Sequence, residues 1–159
     1  MEVLDSRRLT GPNLIWDLPS AVLDIRCGEH SPEEVVSAWR SQLVRMLEAL
    51  QWPDPKLKHK TVEAGVCLAL AAPIDALYAA TDINDWAAAA AESKLNGQGE
   101  AELGPNLDRL RASLEEERNP PLLALQAAAE EHGLPFLWDD DNVSVGLGRS
   151  SRTWPTRGE

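Results

Sequence analysis

The stretch ALQAAAEEHGLPFLWDDDNVSVGLGRSSRTWP, residues 124–155, decides the fold class because it combines a helix with a hairpin. Its alanine-rich first part predicts a helix that ends at Gly133, since glycine suits the left-handed position after a helix. Leu134 to Trp138 then predicts a strand, DDDN a turn, and Val143 to Leu147 the second strand of the hairpin. Because only four residues follow Pro155, we expect the element that usually follows such a hairpin to be absent from this chain.

Strand and helix patterns also follow one another near the start of the chain. Residues 21–27 alternate apolar and polar side chains, as in a strand with one buried face, and EVLDSRRL (residues 2–9) is the expected partner strand. Ser31 and Glu34 form a capping box, which predicts a helix that begins there and ends near Trp52. These patterns predict an α+β fold in which small antiparallel sheet elements pack against several helices.

The middle of the chain is rich in alanine, which favours helix. Residues 61–92 predict several short helices, separated at Pro73 and at the polar pair Thr81-Asp82. The first of them, TVEAGVCLALAA (residues 61–72), is apolar on nearly all sides. We therefore expect it to be a buried helix at the centre of the domain.

Residues 94–106 consist mostly of glycine and polar residues and predict a mobile loop. Helices should follow over residues 107–118 and from an Asn119 cap onwards. The sequence contains no internal repeat, and its 43% of apolar residues are enough for a core. We predict a single domain over residues 1–159.

The charge balance argues against several classes of partner. Asp and Glu number 26 against 15 Lys and Arg, and the net charge of −11 disfavours binding to nucleic acid or to anionic membranes. The sequence has neither a secretory signal nor an apolar run long enough to span a membrane, so we predict a cytoplasmic protein. Its two cysteines, Cys27 and Cys67, lie in apolar runs and are expected to be reduced and buried.

No set of residues predicts a catalytic centre. The three histidines are too scattered for a metal site, and Cys27 with His30 lacks a second pair of ligands. Glu63 is the carboxylate of interest because the helix predicted around it is otherwise apolar. Its side chain faces solvent or a lysine such as Lys60, or else it lines a pocket. We predict no metal, no cofactor and no catalytic residue.

Two segments together resemble a known family. RRLTGPNLIW (residues 7–16), followed by a strand and the helix that begins with SPEE, and the stretch 124–155 resemble the N-terminal domain of cyanophycin synthetase and of related Mur-ligase-type amide ligases. The resemblance implies a domain that helps to bind the substrate or growing polymer of a ligase that joins amino acids or peptides through ATP-activated carboxylates. Neither the ATP-grasp domain nor the Mur-type phosphate loop is present in the sequence, so we expect no ligase activity from this chain alone.

Some members of that family also resemble metallopeptidases, with a His-x-x-Glu-His helix that supplies two zinc ligands. In the nearest segment here, residues 60–64, only Glu63 matches, and lysine and alanine cannot replace the two histidines. Neighbouring His59 is one residue out of register on the predicted helix.

We predict a non-catalytic module that recognises a substrate or peptide, or assists assembly, in a cyanophycin-synthetase-like or Mur-ligase-like system. A peptide that carries both charges, or a ligase core domain, is the expected partner, and the chain could form a homo-oligomer. Two other functions stay open: a metal-dependent hydrolase with Glu63 as general base, and a structural domain for dimerisation or docking. Besides Glu63, the residues expected to contact the ligand are Arg7, Arg8, Asn13, Lys58, Lys60, Arg149 and Arg152.

Overall fold

The structure is a computed structural model that describes residues 1–10, 15–63, 65–133, 136–138, 142–145 and 152–155. The chain comprises two compact units, Met1–Glu117 and Arg118–Glu159. The single domain expected over residues 1–159 stays a prediction. Helices and antiparallel sheets make the fold α+β, as predicted.

The first unit is built on a four-stranded antiparallel sheet. Its strands are β1 (Glu2–Leu9), β2 (Ser20–Arg26), β3 (Leu57–Val62) and β4 (Gly65–Ala71), and their spatial order is β1-β2-β4-β3. The unit also contains the helices α1 (Pro32–Ala49), α2 (Leu77–Leu95) and α3 (Gly104–Glu117). The antiparallel pairing expected for residues 2–9 and 21–27 is confirmed.

The sheet has a helical face and a second face, here called the open face, which is exposed at its edge strands while Val22 and Ala69 at its centre are buried. On the helical face, Leu23 of β2 lies opposite Ser6 of β1 and Leu68 of β4, and the Ser6 hydroxyl donates to Asp85 of α2 at 2.9 Å. The apolar residues of the two central strands on this face are buried with those of α1 and α2. They are Ala21, Leu23, Ile25, Val66, Leu68 and Leu70.

A buried asparagine joins both helices to the two central strands. Asn84 of α2 is 1% exposed, and its Oδ1 accepts a hydrogen bond from the indole Nε1 of Trp39 in α1 at 2.7 Å. Its Nδ2 donates to the carbonyl oxygens of Ala21 and Leu68, each at 3.2 Å. Because every polar atom of this side chain is used, burial of the amide is compensated.

The two long helices begin in different ways. In α1 the capping box is confirmed: the amide of Glu34 donates to Ser31 Oγ at 3.2 Å, and the amide of Ser31 donates to the Glu34 carboxylate at 2.9 Å. The N-cap of α2 is Ala76, which has no side-chain group to cap with. The Glu117 carboxylate takes over this role and accepts from the amides of Tyr78 and Ala79 at 2.9 and 2.8 Å.

The prediction of a central helix over residues 61–72 is wrong. This segment forms the end of β3, a turn and β4. Since β4 lies between β2 and β3 and most of its side chains are buried on both faces, it has the nearly continuous apolar sequence of a doubly buried strand instead of an alternating one. The helix propensity of alanine, at most a few tenths of a kcal/mol per residue against most other residues, is overridden by this packing.

The boundaries of the following helices also differ from the prediction. The pair Thr81-Asp82 does not interrupt α2, and the Thr81 hydroxyl is satisfied within the helix, where it donates to the Leu77 carbonyl oxygen at 2.8 Å. The connection after α2 spans only residues 96–103, and α3 begins three residues before the predicted Leu107. The mobility expected for residues 94–106 stays a prediction.

The second unit contains helix α4 (Pro120–Glu131) and the strands β5 (Phe136–Trp138), β6 (Asn142–Val145) and β7 (Arg152–Pro155). The Asn119 cap is confirmed, since its Oδ1 accepts from the amide of Leu122 at 3.2 Å, and Gly133 has the expected left-handed backbone with φ of +65°. The β5-β6 hairpin is confirmed, and β7 adds a third antiparallel strand that the sequence analysis did not predict. The DDD triplet, Leu147 and the rest of GLGRSS lie outside the described residues.

Candidate binding surface

The open face of the sheet brings together three of the predicted ligand-contacting residues. Adjacent strands place Arg7, Val22, Ala69 and Lys58 in one row that crosses the whole sheet. The neighbouring row consists of Asp5, Asp24, Cys67 and Lys60, again one residue from each strand. Long charged side chains therefore stand on the two edge strands, while between them Val22 and Ala69 are buried and Asp24 and Cys67 are half-buried.

The other predicted residues lie elsewhere. Arg8 is on the helical face, where its guanidinium carbon lies 3.5 Å from the centroid of the Tyr78 ring of α2. Arg152 belongs to β7 of the second unit. Asn13, within the GPN motif, and Arg149 lie outside the described residues.

Glu63 does not occupy the position that made it a candidate. It lies in the turn between β3 and β4, with an exposed side chain, because residues 57–62 and 65–71 are strands and not a helix. His59 lies on β3 for the same reason, so no helical face exists on which a His-x-x-Glu-His arrangement could form. Among the described residues, no group of three His, Cys, Asp or Glu side chains could hold a metal ion.

Arg7 is fixed between two carboxylates. One Nη atom lies 3.0 Å from Asp5 and 2.5 Å from Asp24. The hydrogen bond to Asp24 raises the pKa of Arg7 further above its ordinary value, against the opposing effect of partial burial. The charge of Arg7 is therefore largely compensated within the protein.

Asp24 also accepts a hydrogen bond from the thiol of Cys67, with Sγ 3.0 Å from the second carboxylate oxygen. Burial acts to raise the pKa of Asp24, but the hydrogen bonds from Cys67 and Arg7 outweigh it and hold this pKa below its ordinary value. Burial and then the bond to Asp24 raise the pKa of Cys67 to about 11. The thiol therefore stays protonated near neutral pH, which makes it a hydrogen-bond donor and not a nucleophile.

The two lysines of β3 differ from Arg7. Both Lys58 and Lys60 are exposed, and within the described residues neither forms an ion pair. Lys58 Nζ lies 6.0 Å from the centroid of the Trp16 ring, and the Trp16 indole donates to Ser20 Oγ at 2.5 Å. The two lysines provide positive charge for carboxylates, and the ring near Lys58 suits planar or apolar groups.

Asp24 and Cys67 are parts of the surface that were not predicted from the sequence. Alternation in residues 21–27 assigns Asp24 to the less buried side of β2, which was an available signal. Cys67 was expected to be buried in a helix, whereas it is a half-buried residue of β4. Cys27 is buried, and both thiols are free, as predicted.

No family of known proteins and no curated protein matches this sequence. Among the described residues, no helix has both the length and the apolar character needed to cross a lipid bilayer.

Proposed function

We propose that this chain is a non-catalytic recognition module which binds a peptide or amino-acid polymer that carries both charges. The proposed setting is a cytoplasmic amide ligase system of the cyanophycin synthetase or Mur ligase type, in line with the resemblance of residues 7–16 and 124–155 to that family. The observation that carries the proposal is the position of Arg7, Lys58 and Lys60 on the same face of the sheet, with Arg7 on one edge strand and the two lysines on the other.

The charge pattern of this face supports a ligand with both charges. Both cations and anions occur on it: Arg26 pairs with Glu2 at 3.0 Å, and Asp5 is an exposed carboxylate beside Arg7. Lys58 and Lys60 lie on the edge strand opposite β1, where they offer positive charge to the carboxylates of a ligand. The chain as a whole has a net charge of −11, so this face is a local departure from an acidic surface.

The chemistry of the face supports binding without catalysis. The Cys67 thiol on it is protonated and hydrogen-bonded to a carboxylate that is itself paired with Arg7. A nucleophile needs a lowered pKa or an adjacent base that is free to take its proton, and Cys67 has neither. The surface therefore offers charge and hydrogen-bonding groups for recognition.

The test measures binding of a fluorescein-labelled dodecapeptide of alternating Asp and Arg to the full chain by fluorescence anisotropy at low salt. The variant Lys58→Glu/Lys60→Glu should bind at least about fivefold more weakly, since two attractive contacts become repulsive. The matched control is Arg40→Glu/Arg109→Glu, which changes net charge equally at two exposed helix positions outside the surface. The control should stay within about twofold of the unaltered chain.

An equal loss in both double variants would mean that only net charge matters, and the proposed site would then be wrong. Absence of any peptide binding by the unaltered chain would reject the proposed function itself. Circular dichroism of each variant establishes that the fold is intact before the affinities are compared.

A further inference from the structure

Strand β3 is an edge strand of the four-stranded sheet. Its inner edge pairs with β4, and within the described residues no strand pairs with its outer edge. Every residue from Lys58 to Val62 is exposed. The outer edge therefore presents backbone N–H and C=O groups that an extended peptide could use as a template.

The side chains of β3 set the distance at which a bound peptide must place its charges. Lys58 and Lys60 stand on the open face and His59 stands on the other, because successive residues of a strand alternate. Residues two apart on a strand are separated by about 6.6 to 6.8 Å. A second strand paired with β3 would place its own alternate residues at the same interval, opposite the two lysines.

The other edge of the sheet lacks this character. In β1 the pairing register shifts between Val3 and Asp5, an irregularity that makes an edge a poorer template. Its open-face cation, Arg7, already contacts two carboxylates. Charge complementarity for an acidic strand is therefore found at β3 and not at β1.

We infer that β3 binds an extended acidic peptide by strand addition, with carboxylates at alternate peptide positions opposite Lys58 and Lys60. The inference rests on the proposed function and specifies it: the acidic part of the ligand pairs with β3, and its backbone continues the sheet. Selectivity then depends on the spacing of the carboxylates as well as on their number, because carboxylates on consecutive or third residues cannot face both lysines at this interval.

Lysines on an edge strand have another known consequence, which is to keep sheet edges of different molecules apart. The two roles predict opposite results. If the lysines only protect the edge, acidic peptides do not pair with β3, and replacing Lys58 and Lys60 by threonine makes the chain self-associate. If they recognise a ligand, peptide binding depends on them.

The experiment titrates the full chain, labelled with ¹⁵N, with two unlabelled peptides of equal composition and follows backbone amide shifts by NMR. The first peptide, Asp-Thr-Asp-Thr-Asp-Thr-Thr, has carboxylates on alternate residues. The second, Asp-Thr-Thr-Asp-Thr-Thr-Asp, has them on every third residue. Two further versions of the first peptide carry N-methyl groups on either the odd or the even backbone nitrogens, which removes the N–H donors of one peptide edge at a time.

We expect the alternating peptide to shift the amides of β3 and to leave those of β1 unchanged. Its affinity should exceed that of the spaced peptide by about fivefold to tenfold, which is the effect expected for one or two cross-strand ion pairs. One of the two N-methylated versions should lose binding, and Lys58→Gln/Lys60→Gln should weaken binding by about tenfold. Glutamine keeps the strand and removes only the charges.

Equal affinities of the two spacings, binding that survives both N-methylated versions, or shifts on β1 would each overturn strand addition at β3. If the alternating Asp and Arg dodecapeptide still binds under those results, the proposed function stands and only the strand-addition mode is wrong. Self-association of Lys58→Thr/Lys60→Thr without any peptide binding would assign the lysines to edge protection and would also overturn the inference.

Discussion

Replacing Asp24 by asparagine tests the hydrogen-bonded network of the open face most directly. In the protein, Asp24 accepts from the Cys67 thiol at 3.0 Å and raises the pKa of Cys67 both through this bond and through its charge. The pKa of Cys67 is about 11, against an ordinary value of 9.0. The variant Asp24→Asn keeps the shape of the side chain and removes its charge, so the pKa of Cys67 should fall into the interval between these values.

Burial, the largest cause of the raised pKa of Cys67, persists in Asp24→Asn and keeps the new value above 9.0. Each unit by which the pKa of Cys67 falls gives about ten times more thiolate near neutral pH. Thiolate nucleophilicity falls at the same time, with a Brønsted coefficient of about 0.4 to 0.5, which leaves a net gain of about threefold per unit. We therefore expect alkylation of Cys67 to become faster, by about threefold if its pKa falls by one unit.

The assay is the initial rate of iodoacetamide alkylation at pH 8, resolved by peptide mass spectrometry. Cys27 is an internal reference in the same sample, because its pKa is raised chiefly by burial and its thiol has no bond to Asp24. The matched variant Asp5→Asn removes a carboxylate that also contacts Arg7 but does not touch Cys67. Its Cys67 rate should change by less than about twofold. An unchanged or slower Cys67 rate in Asp24→Asn would refute the network, and so would an equal acceleration in Asp5→Asn.

Three further predictions concern the scaffold. Asn84→Ala leaves the Trp39 indole without an acceptor and should lower the free energy of unfolding by about 3 kcal/mol in urea denaturation. The loss should be smaller when Trp39→Phe is already present, because only the bonds from Asn84 to the Ala21 and Leu68 carbonyl oxygens then remain to be lost. Gly65→Ala places Cβ at 1.8 Å from the Ile25 carbonyl oxygen, so it should lower the free energy of unfolding by at least about 2 kcal/mol. The control Gly104→Ala meets no atom within 4 Å and should leave the free energy of unfolding nearly unchanged in the same assay. Because the pKa of Asp24 is lowered in the folded state, the ionised carboxylate stabilises the fold above pH 3.8, and this stabilisation is lost as pH falls below that value. The free energy of unfolding of Asp24→Asn, measured by urea denaturation from pH 2 to 5, should therefore depend less on pH than that of the unaltered chain.

Local signals in the sequence were sufficient for several elements. The capping box at Ser31 contains its own donors and acceptors within four residues, so it predicts the start of α1 without knowledge of the rest of the fold. Alternation in residues 21–27 predicts β2 in the same way, because one of its faces is more buried than the other. The hairpin of β5 and β6 follows from a turn sequence between two short apolar runs.

Strand β4 could not be predicted from such local patterns. A strand buried on both faces has no alternation, so the sequence of residues 65–71 has the same apolar character as a buried helix. Gly65 is the residue that argues against a helix in this segment, because glycine within an apolar run is typical of a strand that another backbone approaches closely. In the structure Gly65 packs so closely on the Ile25 backbone that no side chain fits. The length of the segment, seven residues, also favours a strand over a helix.

The candidate surface depended on that same assignment. Cys67 and Asp24 are 43 residues apart in the chain and meet only because β2 and β4 pair in a defined register. With residues 61–72 interpreted as a helix, no cross-strand neighbour of Asp24 could be predicted. The cluster of Lys58 and Lys60 was visible in the sequence, but its position on an edge strand was not.

The adjacent arginines of β1 show why charge clusters in a sequence need the strand period before they can be interpreted. Arg7 points to the open face and pairs with Asp5 and Asp24, whereas Arg8 points to the helical face and covers the Tyr78 ring. One belongs to the surface proposed for recognition, and the other holds β1 against α2. Substituting Arg8 should therefore change stability before it changes ligand binding, and substituting Arg7 should change both the charge pattern of the open face and the environment of Cys67.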